Sequence, residues 1–275
     1  MKKTALRCLA VLTATLGLAF GGTSLSAQTD SLQRVKSAGK LTIGAEGNWV
    51  PYVYNDQKTM ELTGFEVDMA KEIAIRLGVK AEFNISNKWD GVIAGLDAKR
   101  YDAVICGVTP NPERHVKYNL SVPYAESPVC LVVAKSNKTI NSFEDLKDKL
   151  CGNSLVSSSG NIARAYGARL TEASLVQAMD LLVTGRIDGH VNNLTSITDF
   201  MTQKPETAVR IAALYNPKAH WEIEEAAMLR KEDGSLAEAV NNAIKTMIAD
   251  GTCYRMAEHY FGKTVADGIS IYKKN

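Results

Sequence analysis

The sequence predicts an α/β fold of two lobes, each a mainly parallel sheet flanked by helices, joined by two crossing strands. Three observations predict it. Composition is that of a globular chain: of 275 residues 45% are hydrophobic and 23% charged, with 20 Gly and 7 Pro, which excludes collagen-like, low-complexity and largely disordered chains. Strand-like and helix-like runs alternate along the chain, and repeated β-α-β units imply a parallel sheet with helices on both faces. Two extended runs, near Val129–Ala134 and Ile223–Leu229, read as the crossings between halves. One lobe then takes residues 28–130 and 223–275, from both ends, and the second takes residues 131–222.

Residues 1–27 read as an address. Lys2, Lys3 and Arg7 precede the apolar run Leu9–Phe20, and the small, polar stretch from Gly21 to Ala27 follows it. That order is the secretory signature, and the run falls short of the roughly 20 apolar residues a membrane-spanning helix needs. Cleavage is expected between Ser24 and Gln28, and Cys8 lies ahead of the apolar run, where it is not placed to become a lipidated first residue. A periplasmic protein without a lipid anchor is the expectation. Three of the 32 basic residues fall in this acid-free segment, so the remainder carries 29 bases against 30 acids, a net charge of −1. A near-neutral chain without basic clusters lacks the electrostatic footprint of nucleic-acid binding. Cys106, Cys130, Cys151 and Cys253 remain. Export permits disulfides among them, in three complete pairings, and burial as small hydrophobes is at least as good an expectation.

Along the mature chain, Lys40–Ala45 reads as a strand, and Phe65, Val67, Ala70, Ile73, Ala74 and Leu77 recur at helical spacing before Gly78 supplies a stop. Lys80–Ile85 is strand-like and Val92–Lys99 helical; Asp102–Val108 and Val129–Ala134 are short apolar runs suited to buried parallel strands. Ser142 with Asp145 resembles a capping box opening a short helix. Leu150–Val156 reads as a strand ending in the Ser157–Asn161 loop, with a helix to about Leu170 after it. Ser174 with Gln177 opens the next helix, which runs to Gly185. The strand Ile187–Val191, a helix near Thr195–Thr202, the strands Val209–Leu214 and Glu225–Leu229, and the helices Leu236–Ala249 and Thr252–Phe261 complete the chain. In open α/β sheets ligands sit at the carboxyl ends of strands, and between two lobes such ends can face each other.

Enzyme signatures are scarce. The sequence has no GxGxxG, P-loop or GxSxG, no CxxC pair, and no metal-ligand spacing around His115, His190, His220 or His259. Glu66, Asp68, Glu224 and Glu225 read as solvated or capping carboxylates. No cofactor or metal is expected.

What stands out is an ordered set of segments: Gly44-Ala-Glu-Gly-Asn-Trp-Val-Pro51-Tyr52, Leu62-Thr-Gly-Phe-Glu-Val-Asp68, Lys88-Trp-Asp-Gly-Val-Ile-Ala-Gly-Leu96, and Tyr101-Asp-Ala-Val-Ile-Cys-Gly-Val-Thr-Pro-Asn-Pro-Glu-Arg114, ending in Ser121-Val-Pro-Tyr124. The set, continued through Asp250-Gly-Thr and Tyr260-Phe-Gly262, closely resembles the polar-amino-acid family (family 3) of solute-binding proteins for ABC importers. The stretch from Lys88 to Tyr124 looks most like cystine-binding members. The resemblance implies the type II periplasmic-binding-protein fold, a monomer that captures a polar amino acid such as cystine, and an ABC permease as partner.

It also implies roles. Arg114 matches the arginine that grips the ligand α-carboxylate, which a guanidinium can bond bidentately without risk of deprotonation. Thr109 and the backbone at Gly107 match positions that bond the carboxylate and amino groups. Trp49 and Trp89 match two aromatics that sandwich the ligand, burying its apolar surface and attracting an ammonium. Glu46 matches an acidic position that can meet a polar or cationic side chain. Ser159, Gly160 and Asn161 match a loop at a helix N-terminus, whose N–H groups favour the same carboxylate. At one position the chain departs from the pattern: Asn193 stands where an ammonium-binding aspartate is usual, which forfeits a charge-assisted bond. Either Asn193 suffices beside the aromatic faces, or another acid substitutes, or the ligand is not a standard α-amino acid. A different class of function, a cyclohexadienyl or arogenate dehydratase on the same scaffold, is compatible with that change.

Overall fold

A computed structural model describes residues 30–273; the segment read as a signal peptide, with Cys8, lies outside the described residues. A short helix, α1 (Ser31–Ala38), precedes strand β1 (Lys40–Ala45). A small meander, β2 (Asn48–Trp49), β3 (Val53–Asn55) and β4 (Leu62–Thr63), leads into α2 (Phe65–Leu77). Helix α2 buries Phe65, Val67, Met69, Ala70, Ile73, Ala74 and Leu77, and Gly78 ends it in the left-handed region at φ 77°, where glycine carries no Cβ penalty. Strand β5 (Lys80–Ile85), α3 (Trp89–Asp97), β6 (Ala103–Val108), α4 (Pro112–Lys117), β7 (Tyr118–Leu120) and β8 (Ala125–Glu126) follow.

The chain then runs through β9 (Val129–Ala134) to β10 (Leu150–Gly152), α5 (Ser158–Ala165), β11 (Arg169–Thr171), α6 (Leu175–Val183), β12 (His190–Asn193), α7 (Leu194–Gln203) and β13 (Val209–Leu214). It returns along β14 (Glu224–Arg230) and ends in α8 (Gly234–Ala249), α9 (Thr252–Phe261) and α10 (Lys263–Gly268). The Ser174–Gln177 capping box forms as expected at the start of α6. Asp145 accepts from the backbone N–H groups of Asn141 and Ser142 ahead of a single 3₁₀ turn.

The first sheet has the order β5-β1-β6-β14-β7, with β8 also on β14. Strand β1 pairs in parallel with β5 and β6, whereas β14 runs antiparallel to β6, β7 and β8. Its core joins Leu41, Ile43, Phe65, Ile73 and Ile105 to Leu229, Leu236, Val240 and Ile244 from the far end of the chain. The second lobe holds the parallel pair β10-β11 and a three-stranded sheet, β12-β9-β13, that is antiparallel throughout. Here the structure corrects the reading of Val129–Ala134 as a parallel strand and of this lobe as mainly parallel. Residues 129–133 are all buried, and a strand buried on both faces reads as one apolar run whichever way its neighbours point. Direction is set instead by connectivity: β9 is the strand that enters this lobe, as β14 is the strand that re-enters the first.

Cys106, Cys130, Cys151 and Cys253 are free and buried, packed as small hydrophobes. Among the described residues no helix is long and apolar enough to cross a membrane.

Candidate functional site

The carboxyl ends of strands from both lobes converge on one cleft, with a cavity of about 320 Å³. Glu46 follows β1, Thr109 follows β6, Asn153 and Ser154 follow β10, Glu172 follows β11, and Asn193 ends β12; all of them line it. The volume lies at the lower end of the range for small-molecule sites, suited to a ligand of amino-acid size.

Arg114 sits in α4, whose N-cap Asn111 accepts from the Arg114 backbone N–H at 2.8 Å. Only 8% of the residue is exposed. Its Nη1 donates to the Thr109 carbonyl at 2.8 Å and, across the cleft, to Ser158 Oγ at 3.2 Å, while Nη2 donates to the Val156 carbonyl at 3.4 Å. These three acceptors are neutral. Burial lowers its pKa to about 10, so the guanidinium still carries a full charge at neutral pH. Ser158 opens α5, capped by Ser157, whose Oγ accepts from the Gly160 N–H at 3.0 Å. A buried cation facing the positive end of a helix dipole is an anion site on both counts.

Both indoles line the same cavity. Trp89 begins α3 with the Arg114 guanidinium 5.6 Å over its ring, a cation–π contact, and its Nε1–H is buried without a partner. Trp49 stacks on Tyr52 at 4.1 Å with 13° between the ring planes, so at most one of its faces remains for a ligand. Gly107 takes φ 58°, and a Cβ there would lie 2.3 Å from Trp49 Cη2; only glycine lets ring and strand approach so closely. Gly107 N–H donates to Glu66 Oε1 at 2.9 Å, which leaves the carbonyl as the backbone group this residue can offer.

Glu46, Trp49, Trp89, Gly107, Thr109, Arg114, Ser159 and Asn193 thus line one cavity. Asn161 does not; its Oδ1 accepts from Arg164 Nη1 on the outer side of α5. The Ser159–Asn161 segment is also not a loop: it lies in the first turn of α5, starting two residues after the cap, and Ser158 is the residue that reaches Arg114. Burial, reinforced by the Asp90 charge, raises the Glu46 pKa to about 7. Asp90 itself accepts from Ser154 Oγ at 2.5 Å, a second link between the lobes.

A larger correction concerns Glu66 and Glu225, which are not solvated: they are 0% and 2% exposed. Glu66 Oε2 accepts from Tyr124 at 2.6 Å while its Oε1 takes the Gly107 N–H, so both oxygens of Glu66 have fixed donors. Glu225 Oε1 accepts from Asn193 Nδ2 at 3.2 Å and its Oε2 has no donor. Burial and the neighbouring Glu66 charge push the Glu225 carboxyl well up. The sequence signal was position: Glu66 sits between Phe65 and Val67, and Glu225 heads the apolar run Ala226–Leu229.

His190, in β12, also borders the cleft. Its Nδ1–H donates to the Gly152 carbonyl and its Nε2 accepts from Asn192. Burial lowers its pKa from 6.5 to about 4. The folded state therefore favours the neutral ring: the stabilisation is complete above the unfolded value and is lost as pH falls from 6.5 toward 4. This contribution is expected to cost about 2–3 kcal/mol by pH 4.5. Urea midpoints at pH 7 and 4.5 should show His190→Gln losing less stability on acidification than the parent by that margin; equal losses would contradict it.

The family model for bacterial extracellular solute-binding proteins, family 3, matches residues 41–263. A protein of Haemophilus influenzae described as a "probable amino-acid ABC transporter-binding protein" is 33% identical over 251 residues, covering 91% of this chain and 95% of the relative. The L-cystine-binding protein TcyJ of Escherichia coli is 35% identical, covering 85% of this chain and 87% of the relative. A solved ancestral arginine-binding protein bound to arginine superposes with a TM-score of 0.72 at 33% identity, covering 82% of this chain and 99% of that one.

Proposed function

The chain belongs to the bacterial extracellular solute-binding proteins of family 3, and from that membership we propose that it captures a polar amino acid, cystine or a similar one, and delivers it to an ABC import permease. The observation that carries this reading is Arg114: a buried cation with only neutral acceptors, over the Trp89 ring, hydrogen-bonded across the cleft to the first residue of a helix. An α-carboxylate placed there meets charge from residues 28–130 and backbone N–H groups from residues 131–222, the lobes we assign. Such a bridge favours the closed form, since closure is driven only by contacts made preferentially in that state. The permease then reads the closed shape. The names of the two amino-acid-binding relatives support the ligand class, and that of TcyJ supports cystine within it. We assign the working form as a periplasmic monomer with residues 1–27 removed and no lipid anchor.

Binding without turnover is the expected behaviour. A thermal-shift screen over the amino acids, cystine included, should give a selective rise, worth about 2.7 kcal/mol at a hundredfold excess over the dissociation constant. Prephenate or arogenate should yield no ultraviolet-absorbing aromatic product. A flat screen, or turnover of either acid, would overturn the proposal.

A further inference from the structure

We propose that Glu225 is the anion that receives the ligand's α-ammonium group, in a small chamber between Gly107 and Asn193 that opens beside the Arg114 carboxylate site. This rests on the amino-acid reading above and deepens it. In any α-amino acid the ammonium is carried on the carbon next to the carboxylate, so once Arg114 fixes one group the other must fall close by. A second cavity of about 20 Å³ lies there, lined by Gly107, Thr109, Ser159, Asn193 and Glu225 among others. All of those but Glu225 also line the main cleft. Its volume is about that of one water-sized group, and an ammonium is such a group.

Five glutamates line the two cavities. Glu46 and Glu172 belong to the main cleft, and Glu222, Glu224 and Glu225 to the small one. Glu222 is occupied by Tyr215 and by the backbone of Lys218, and Glu224 faces His220. Glu225 alone is both buried, at 2% exposure, and left with a carboxyl oxygen without a donor. Its Oε1 is 3.2 Å from Asn193 Nδ2 and 3.5 Å from where a Cβ on Gly107 would stand. Asn193 cannot supply the negative charge; the acid behind it can.

The surroundings fix the proton's place. Glu66 on α2 is held as acceptor by the Gly107 N–H and the Tyr124 hydroxyl. Tyr52, through Ser127, and the Cys106 thiol on β6 face the pair from other elements, with Tyr272 from the C-terminal turn. All of these are neutral or acidic, so Glu225 keeps a proton in the free protein and donates it to the Glu66 carboxylate. An arriving ammonium takes that proton's place, Glu225 becomes carboxylate, and one proton leaves for solvent. Affinity therefore rises with pH for as long as the free protein holds that proton and the complex does not.

The test is calorimetric titration with L-cystine and with 3,3′-dithiodipropionic acid, the same disulfide diacid without ammonium groups; if another amino acid binds instead, it and its deaminated acid take their place. The unaltered protein should prefer the amino acid by about a hundredfold or more. It should release close to one proton per ligand at pH 6.5 when two buffers of different ionisation enthalpy are compared. Glu225→Gln should cut the preference to tenfold or less and abolish the release, and adding Asn193→Asp should restore the preference. Binding by the unaltered protein without proton release, or a preference retained in Glu225→Gln, would overturn the assignment and leave the proposed function standing. If Glu225→Gln does not fold, proton release alone decides. No binding of any amino acid would overturn both.

Discussion

Arg114→Ala should weaken amino-acid binding by about 2–5 kcal/mol, on the order of thirtyfold to several thousandfold. The size follows from the site. The guanidinium is almost fully buried, and its acceptors are two carbonyls and one hydroxyl; a ligand carboxylate is the charge it lacks, and without it that carboxylate is buried unpaired. The free protein should not suffer in proportion, because removing a buried charge that no carboxylate neutralises relieves a desolvation cost. Arg114→Lys keeps the charge and loses the planar fork, so it should bind between the two. Calorimetry with a parallel urea titration separates the effects. Unchanged affinity in Arg114→Ala would remove the residue from the site.

Gly107→Ala should abolish measurable binding while destabilising the fold by about 2–4 kcal/mol. The residue occupies φ 58°, and the new methyl would stand 2.3 Å from Trp49 Cη2 and 2.7 Å from Cζ3. The left-handed backbone costs roughly 1 kcal/mol and the overpacking about 1–3 more. Relief requires the indole to move, and Trp49 is clamped on its other side by Tyr52, so the ring is pushed into the cleft or the strand shifts away from Thr109. Gly234→Ala is the control, since its Cβ would meet nothing within 4 Å. Near-native affinity and stability in Gly107→Ala would contradict the packing described.

Much of this architecture was legible because local chemistry and tertiary structure agree. Thr252–Phe261 and the Ser174–Gln177 cap appear where spacing and capping place them. Helix α3 begins at Trp89, three residues before the apolar spacing starts at Val92, because its first turn faces the cleft and not the core. The expected strand Leu150–Val156 stops at Gly152, since the residues after it turn to line the site. The meander β2-β3-β4 was invisible for a related reason: strands of two or three residues carry no period. In the site, motif order located Arg114 and the indoles but missed the buried acids. A glutamate within an apolar run reads as a surface residue until its partners are known, and those of Glu225, Glu66 and Asn193, lie far from it in sequence.

The most direct test of the central claim is a crystal structure of the protein with the amino acid that gives the largest thermal shift. The account predicts its α-carboxylate about 2.7–2.9 Å from the Arg114 guanidinium, bridging to the first turn of α5. A ligand held elsewhere, or an Arg114 guanidinium turned to bulk water, would contradict it.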